Sequence, residues 1–282
     1  MTRKHRKFNS LCIFFLFLGL MVPTALPAKT IVMIHGYLAD GMSWHTAKVT
    51  KGLLAAGWKD GGNYGFSWQG MRPASNPIAI PDAFFTVDLP SKAPIDVQTN
   101  ILGQYLDHLY AIRDEPIIFI GHSAGGIVAR SYIIRPGHVP ALALITIGTP
   151  HLGTRTANLA LLAGNSPLGM MLDMAGQDDI TDSRGLYADL KKAEPNTFLY
   201  WLNRQIHPKI PYVSVIRINK SKKTPSKYDF IVPSNSQDMN NVWALRGQSM
   251  IYLTQESHFL SDKDGLFLTD ILKRIEGIVR AK

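Results

Sequence analysis

Apolar positions along this chain cluster in two ways. Short, near-continuous runs occupy residues 30–34, 117–120 and 141–147, and an alternating β-branched run occupies 212–218. Runs this short and apolar suit strands buried on both faces of a parallel sheet. Weaker strand patterns appear at 83–87 and 250–253. Between these runs, apolar residues recur at helical spacing. Residues 96–112 place Ile101, Leu102, Tyr105, Leu106 and Leu109 on one side, and 266–278 do the same with Leu268, Ile271, Leu272 and Ile275. Residues 42–56, carrying Trp44, Ala47, Leu53 and Leu54, read as one helix that stops at Gly57. Residues 60–81 are rich in Gly, Pro, Asn and Ser around Trp68 and Met71. They read as a long loop, either at a pocket mouth or simply on the surface. Strands alternating with helices predict an α/β domain: a central, mostly parallel sheet flanked by helices.

Residues 155–208 break that alternation. Apolar helical patches at 159–162, 168–174 and 186–190 include Met170, Met171 and Met174, and Phe198, Trp201 and Leu202 follow. Flexible methionines suit either a mobile cover or ordinary helices packed on the core.

Candidate chemistry centres on the run at 117–120. It leads into Gly121-His122-Ser123-Ala124-Gly125, and then Ile127, Val128, Tyr132 and Ile133 fall at helical spacing. Strand, sharp turn and helix form the context in which a G-x-S-x-G match is meaningful. A strained turn would push the Ser123 hydroxyl out at the carboxyl end of the sheet. Side chains at 121 or 125 would collide with neighbouring elements, which suits glycine. The amide of Ala124, opening the helix, would point at a developing oxyanion.

The Gly121–Gly126 run resembles the nucleophile elbow of the α/β-hydrolases, in particular secreted bacterial lipases and esterases. Ile34-His35-Gly36-Tyr37 and Gly148-Thr149-Pro150-His151-Leu152-Gly153-Thr154 add to the likeness, which covers the chain from about residue 30 onward. The resemblance implies an α/β-hydrolase fold with a helical, lid-like insertion at 155–208. It makes the backbone amide of Tyr37 the second oxyanion donor, while the side chain of His35 holds the turn. It implies that Asp229, just after the strand at 212–218, is the acidic member of a triad. Asp238, Asp178, Asp179 and Asp182 are rivals for that role. His258 lies between the last strand and the last helix, where a general base toward Ser123 belongs. The order Ser123, Asp229, His258 is the one expected for this fold, and His151 stands at the wrong point in that order. The implied activity is hydrolysis of carboxylic esters, acylglycerols or other lipid esters among them. A thioesterase, phospholipase or acyltransferase on the same triad is an alternative, as is a lipid- or protein-binding module that does not turn over.

The N-terminus adds a compartment. Arg3, Lys4, Arg6 and Lys7 precede an apolar stretch at 11–22, then Pro23, Pro27 and Ala28. That order is a signal peptide's, and it predicts cleavage near Ala28 and a secreted or periplasmic enzyme domain over 29–282. An uncleaved membrane anchor is the alternative. Cys12, the single cysteine, lies in the leader, so no disulfide is expected. The formal net charge is +9, and four of the basic residues belong to the leader. A cluster of Lys220, Lys222, Lys223 and Lys227 fits a solvated loop or a transient contact with anionic lipid headgroups. There is no basic-aromatic pattern for nucleic acid. No metal-ligand spacing or phosphate loop appears, so no cofactor is expected.

Overall fold

The structure, a computed structural model, describes residues 29–78, 82–155, 182–218 and 231–280. The leader, the patches at 159–162 and 168–174, Asp178, Asp179, the lysine cluster and Asp229 lie outside the described residues.

Eight strands form one sheet: β1 (Thr30–Ile34), β2 (Lys59–Ser67), β3 (Gly70–Arg72), β4 (Ala83–Val87), β5 (Ile117–His122), β6 (Ala141–Ile147), β7 (Tyr212–Arg217) and β8 (Ser249–Thr254). Their order is β3-β2-β4-β1-β5-β6-β7-β8. Every pairing is parallel except the β2–β3 hairpin at one edge. The predicted architecture is present.

The pleat explains how uniformly apolar runs serve two cores. Successive side chains of a strand point to opposite faces. Val32, Ile34, Phe85 and Phe119 therefore enter one cluster, with helices α3 (Ile95–Arg113) and α4 (Ala124–Ile133). Ile31, Met33, Phe84, Ile118 and Ile120 enter the other. There they meet the helices α1 (Ser43–Thr46), α2 (Val49–Ala55) and α8 (Asp262–Arg280). Short helices α5 (Arg184–Asp189), α6 (Phe198–Leu202) and α7 (Ser234–Gln237) lie in the connections. The patch at 186–190 thus falls largely in α5, with Leu186 and Leu190 buried in the core. Among the described residues no helix is long and apolar enough to cross a membrane.

Three expectations are corrected. Much of the loop expected at 60–81 is the edge hairpin β2–β3. Its glycines and polar residues hid it, because strands at a partly exposed margin of the sheet need little apolar surface. Gly62, at φ +100°, sits where the β2–β4 register shifts, the backbone of a bulge that glycine accommodates. The single helix at 42–56 is two, broken at Lys48, which takes a left-handed φ of 62°. The last helix starts earlier than its apolar pattern, at Asp262, because Asp264 Oδ2 accepts the amide of Ser261 (2.8 Å) ahead of its first turn.

Candidate active site

β5 runs into α4 through Ser123, whose backbone takes φ 51° and ψ −125°. A non-glycine residue held there is strained, by about 1–3 kcal/mol. The surroundings enforce it. The amide of Ser123 donates to the carbonyl of Ile147 on β6 (2.9 Å). The chain also passes so close to its neighbours that no side chain fits at the flanking glycines. A Cβ on Gly121 would lie 2.5 Å from Gly126 Cα, and one on Gly125 would lie 2.3 Å from the carbonyl oxygen of His35. Ser123 is thus fixed at the carboxyl end of the central strands, with its hydroxyl turned toward the loop after β8.

That loop carries His258. Its Nε2 lies 3.1 Å from Ser123 Oγ, across 135 residues of sequence. His258 is buried, and burial, followed by repulsion from His122 when that ring is protonated and by the charge of Arg217, holds its imidazole well below the ordinary histidine range. It is therefore neutral near pH 7. A neutral imidazole at hydrogen-bond distance from a hydroxyl can accept that hydroxyl's proton as an attack begins.

The turn after β1 closes over the same point. A Cβ on Gly36 would lie 2.9 Å from Ser123 Cβ, so Tyr37 follows directly beside the serine. Among the described residues no backbone carbonyl accepts from the amide of Tyr37 or of Ala124. The Tyr37 phenol is tied to the segment carrying α5, at Tyr187 (2.7 Å) and Ser183 (3.0 Å). His35 holds the turn: its Nε2 accepts the amide of Leu89 (3.0 Å), and its Nδ1 donates to the carbonyl of Gly36 (2.9 Å).

The remaining candidates separate cleanly. Asp229 lies outside the described residues. Asp238 accepts the amide of Asn240 (2.8 Å) and caps a 3-10 turn at 239–241. Asp182 is exposed. His151 is buried in a separate polar cluster, between Thr146 Oγ1 (3.1 Å) and an Nη1 of Arg130 (3.2 Å).

A cavity of about 600 Å³ opens over Ser123 and His258. Leu38, Ala47, Phe259 and Leu260 give it apolar walls, and Asp40 and Lys92 also line it. Among the described residues no group of three or more His, Cys, Asp or Glu is placed to hold a metal ion.

A sequence model of the alpha/beta hydrolase family matches residues 31–255, which span the sheet, the elbow and most of the connections. The chain belongs to the alpha/beta hydrolase family. Solved structures of similar fold include the mature lipase BlEst2 of Bacillus licheniformis. That likeness has a TM-score of 0.59 at 19% identity and covers 88% of this chain and 92% of that one. A metagenomic carboxyl esterase, MGS0156, aligns with TM-score 0.56 at 12% identity, over 90% of this chain and 77% of the other. The esterase PF2001 of Pyrococcus furiosus aligns with TM-score 0.53 at 14% identity, over 90% and 82%. Identities this low speak to the alpha/beta hydrolase fold and not to a substrate. No curated protein sequence matches the chain significantly.

Sequence reading missed two parts of this alpha/beta hydrolase site. His122 occupies the variable position of G-x-S-x-G, and its Nε2 donates to the backbone carbonyl of His258 (2.8 Å). The second is the buried pair of Arg217 and Asp264, 2.8 Å apart. A charged residue closing the β-branched run of β7 was the available signal.

Proposed function

We propose that this alpha/beta hydrolase is a serine hydrolase of carboxylic esters, a lipase or esterase acting through an acyl-enzyme. Ser123 attacks the ester carbonyl while His258 takes its proton, and Asp229 orients the imidazole. The amides of Tyr37 and Ala124 stabilise the tetrahedral oxyanion, each donor contributing about 3 kcal/mol to the transition state. His258 then returns the proton to the leaving alcohol, and water repeats the sequence to free the acid. The observation that carries this reading is the 3.1 Å approach of His258 Nε2 to a serine hydroxyl on a strained turn. The apolar walls of the cavity favour an acyl chain over a charged substrate. The basic and apolar leader supports export, and with it a substrate at or near a lipid surface.

The test is hydrolysis of p-nitrophenyl esters across chain lengths, with triolein emulsion alongside, by wild type and Ser123→Ala. Activity that vanishes in the folded variant supports the reading. A folded Ser123→Ala protein turning over ester at the wild-type rate overturns it. Preference for long chains above their solubility limit identifies a lipase, and preference for short soluble esters identifies an esterase.

A further inference from the structure

Arg217 and Asp264 stand out because both are buried to 1% side-chain exposure and neither belongs to the chemistry described above. Arg217 ends β7, and Asp264 lies in the first turn of α8. Guanidinium Nη2 is 2.8 Å from Asp264 Oδ1. The approach is a charge contact: none of the Arg217 guanidinium nitrogens makes an aligned hydrogen bond to a described residue.

The pair brackets the loop of the base. Residues 255–261 join β8 to α8 and carry His258. At one end, Arg217 stands opposite Thr254 in the β7–β8 register, and the carbonyl of Thr254 accepts the amide of Ile218 (2.8 Å). At the other end, Asp264 Oδ2 accepts the amide of Ser261 (2.8 Å). The Arg217–Asp264 contact joins the two ends. It also borders the imidazole itself. A Cβ on Gly148 would lie 3.4 Å from His258 Nδ1 and 3.8 Å from Arg217 Cγ, so both side chains pack against one point of backbone.

We propose that Arg217, paired with Asp264, is a positioning residue for His258: it holds the loop of the base in place and sets the pH range in which that base works. The proposal rests on the serine hydrolase reading above. Its physical content is a balance of charge in a buried site. The guanidinium disfavours a proton on His258, and the carboxylate of Asp264 offsets part of that field. Arg217 is among the causes holding His258 low, after burial and His122. Burial pushes the Asp264 carboxyl up, against the pull of Arg217. Among the described residues, the other titratable groups facing His258 are His122 from the end of β5, Glu256 in its own loop, and Asp40 and Lys92 across the cavity, and the reading above adds the carboxylate of Asp229. Glu256 is engaged by Lys263 (2.8 Å).

Substituting the two members of the pair therefore moves the acid limb of kcat/KM in opposite directions. Arg217→Met removes the cation and moves it up by about one pH unit, a roughly tenfold loss of rate below the limb. Asp264→Asn leaves the cation uncompensated and moves the limb down. Arg217→Lys keeps the charge and keeps the wild-type limb. A purely structural role lowers the plateau in each case and leaves the limb in place.

The experiment measures kcat/KM on p-nitrophenyl butyrate and the rate of labelling by a fluorophosphonate probe, each against pH. Wild type, the three single variants and Arg217→Met/Asp264→Asn are compared, with circular dichroism to confirm folding. Where a single variant fails to fold, the doubly neutral protein carries the test, and its limb should move up, by less than in Arg217→Met, because the carboxylate that offsets part of the guanidinium field is removed with it. Limbs that stay at the wild-type position, or that move the same way for Arg217→Met and Asp264→Asn, overturn the proposal. A wild-type protein that neither labels nor hydrolyses ester overturns the serine hydrolase reading instead.

Discussion

His122 donates its Nε2–H to the backbone carbonyl of His258, 2.8 Å away. The partner can only accept, so the proton on His122 sits at Nε2. Its ring lies between Trp44 (6.4 Å) and His258 (5.4 Å) and also lines the cavity. A side chain one residue before Ser123 thereby fixes the loop that brings the imidazole to Ser123. His122→Ala should keep the fold and lower kcat about 10–100-fold, because a displacement near 1 Å costs a reaction that much. Steady-state kinetics on a soluble ester checks this, and a His122→Ala enzyme with wild-type kcat would show the tie to be idle.

The strain at Ser123 predicts a gain in stability once the side chain is removed. At φ 51° and ψ −125° a glycine is unstrained. Releasing about 1–3 kcal/mol of strain outweighs the roughly 0.5–1 kcal/mol that glycine costs through unfolded-chain entropy. Ser123→Gly should be inactive and more stable than wild type by about 1 kcal/mol. Urea unfolding measures it, and a lower midpoint at unchanged slope would remove the claim that the elbow stores strain.

The central strands were legible because they are buried on both faces and carry little but Ile, Val, Leu and Phe. The elbow was legible because Gly121, Ser123 and Gly125 fall between such a strand and a helical repeat. β2 was not, because a partly exposed strand beside the sheet edge, with a bulge at Gly62, looks like loop in composition. Lys48 gave no local warning of a left-handed break. Ser123 and His258 were legible as residues, and their 3.1 Å meeting came only with the fold. Arg217 showed only as a charged residue closing the β-branched run of β7, and Asp264 and Arg130 gave no signal, since a lone charged residue in sequence belongs by default on the surface. Only the fold shows that their partners are brought to them.

The glycines of the elbow make a packing prediction. A methyl group on Gly125 meets the carbonyl oxygens of His35 (2.3 Å) and Ile34 (2.4 Å), which are backbone atoms of the central strand and the turn after it. Neither can retreat without disturbing β1 and the turn carrying Tyr37. Gly125→Ala should cost about 1–3 kcal/mol or more and depress activity further than its stability loss explains. Thermal unfolding and ester hydrolysis compared on the folded fraction test it; a variant matching wild type in both would mean the contact relaxes freely.

Acid should destabilise this protein well before its carboxylates titrate. His35, His122, His151, His207 and His258 are all held below 6.5, chiefly by burial, with His122 at about 4 and His207 at about 3. Arg130, fully buried, donates to Asn203 Oδ1 (3.0 Å) and His207 Nε2 (3.3 Å), and its charge lowers both His151 and His207 further. Burial lowers Arg130 itself to about 9, which leaves it a cation at neutral pH. Each of these histidines is neutral when folded and binds a proton readily when unfolded. The unfolded state therefore takes up more protons as pH drops below about 6.5, and stability falls with it, through pH 4 for His122 and toward pH 3 for His207. His122 alone contributes on the order of 3 kcal/mol across that range. The opposing groups are fewer. The raised carboxyls of Asp189 and Asp264 favour the folded state only in the acid range, and the raised His45 is part-exposed beside Asp60. Urea unfolding at pH 8, 6 and 4.5 should show a midpoint that drops steadily. A midpoint unchanged down to pH 4.5 would mean that these imidazoles are not buried neutral.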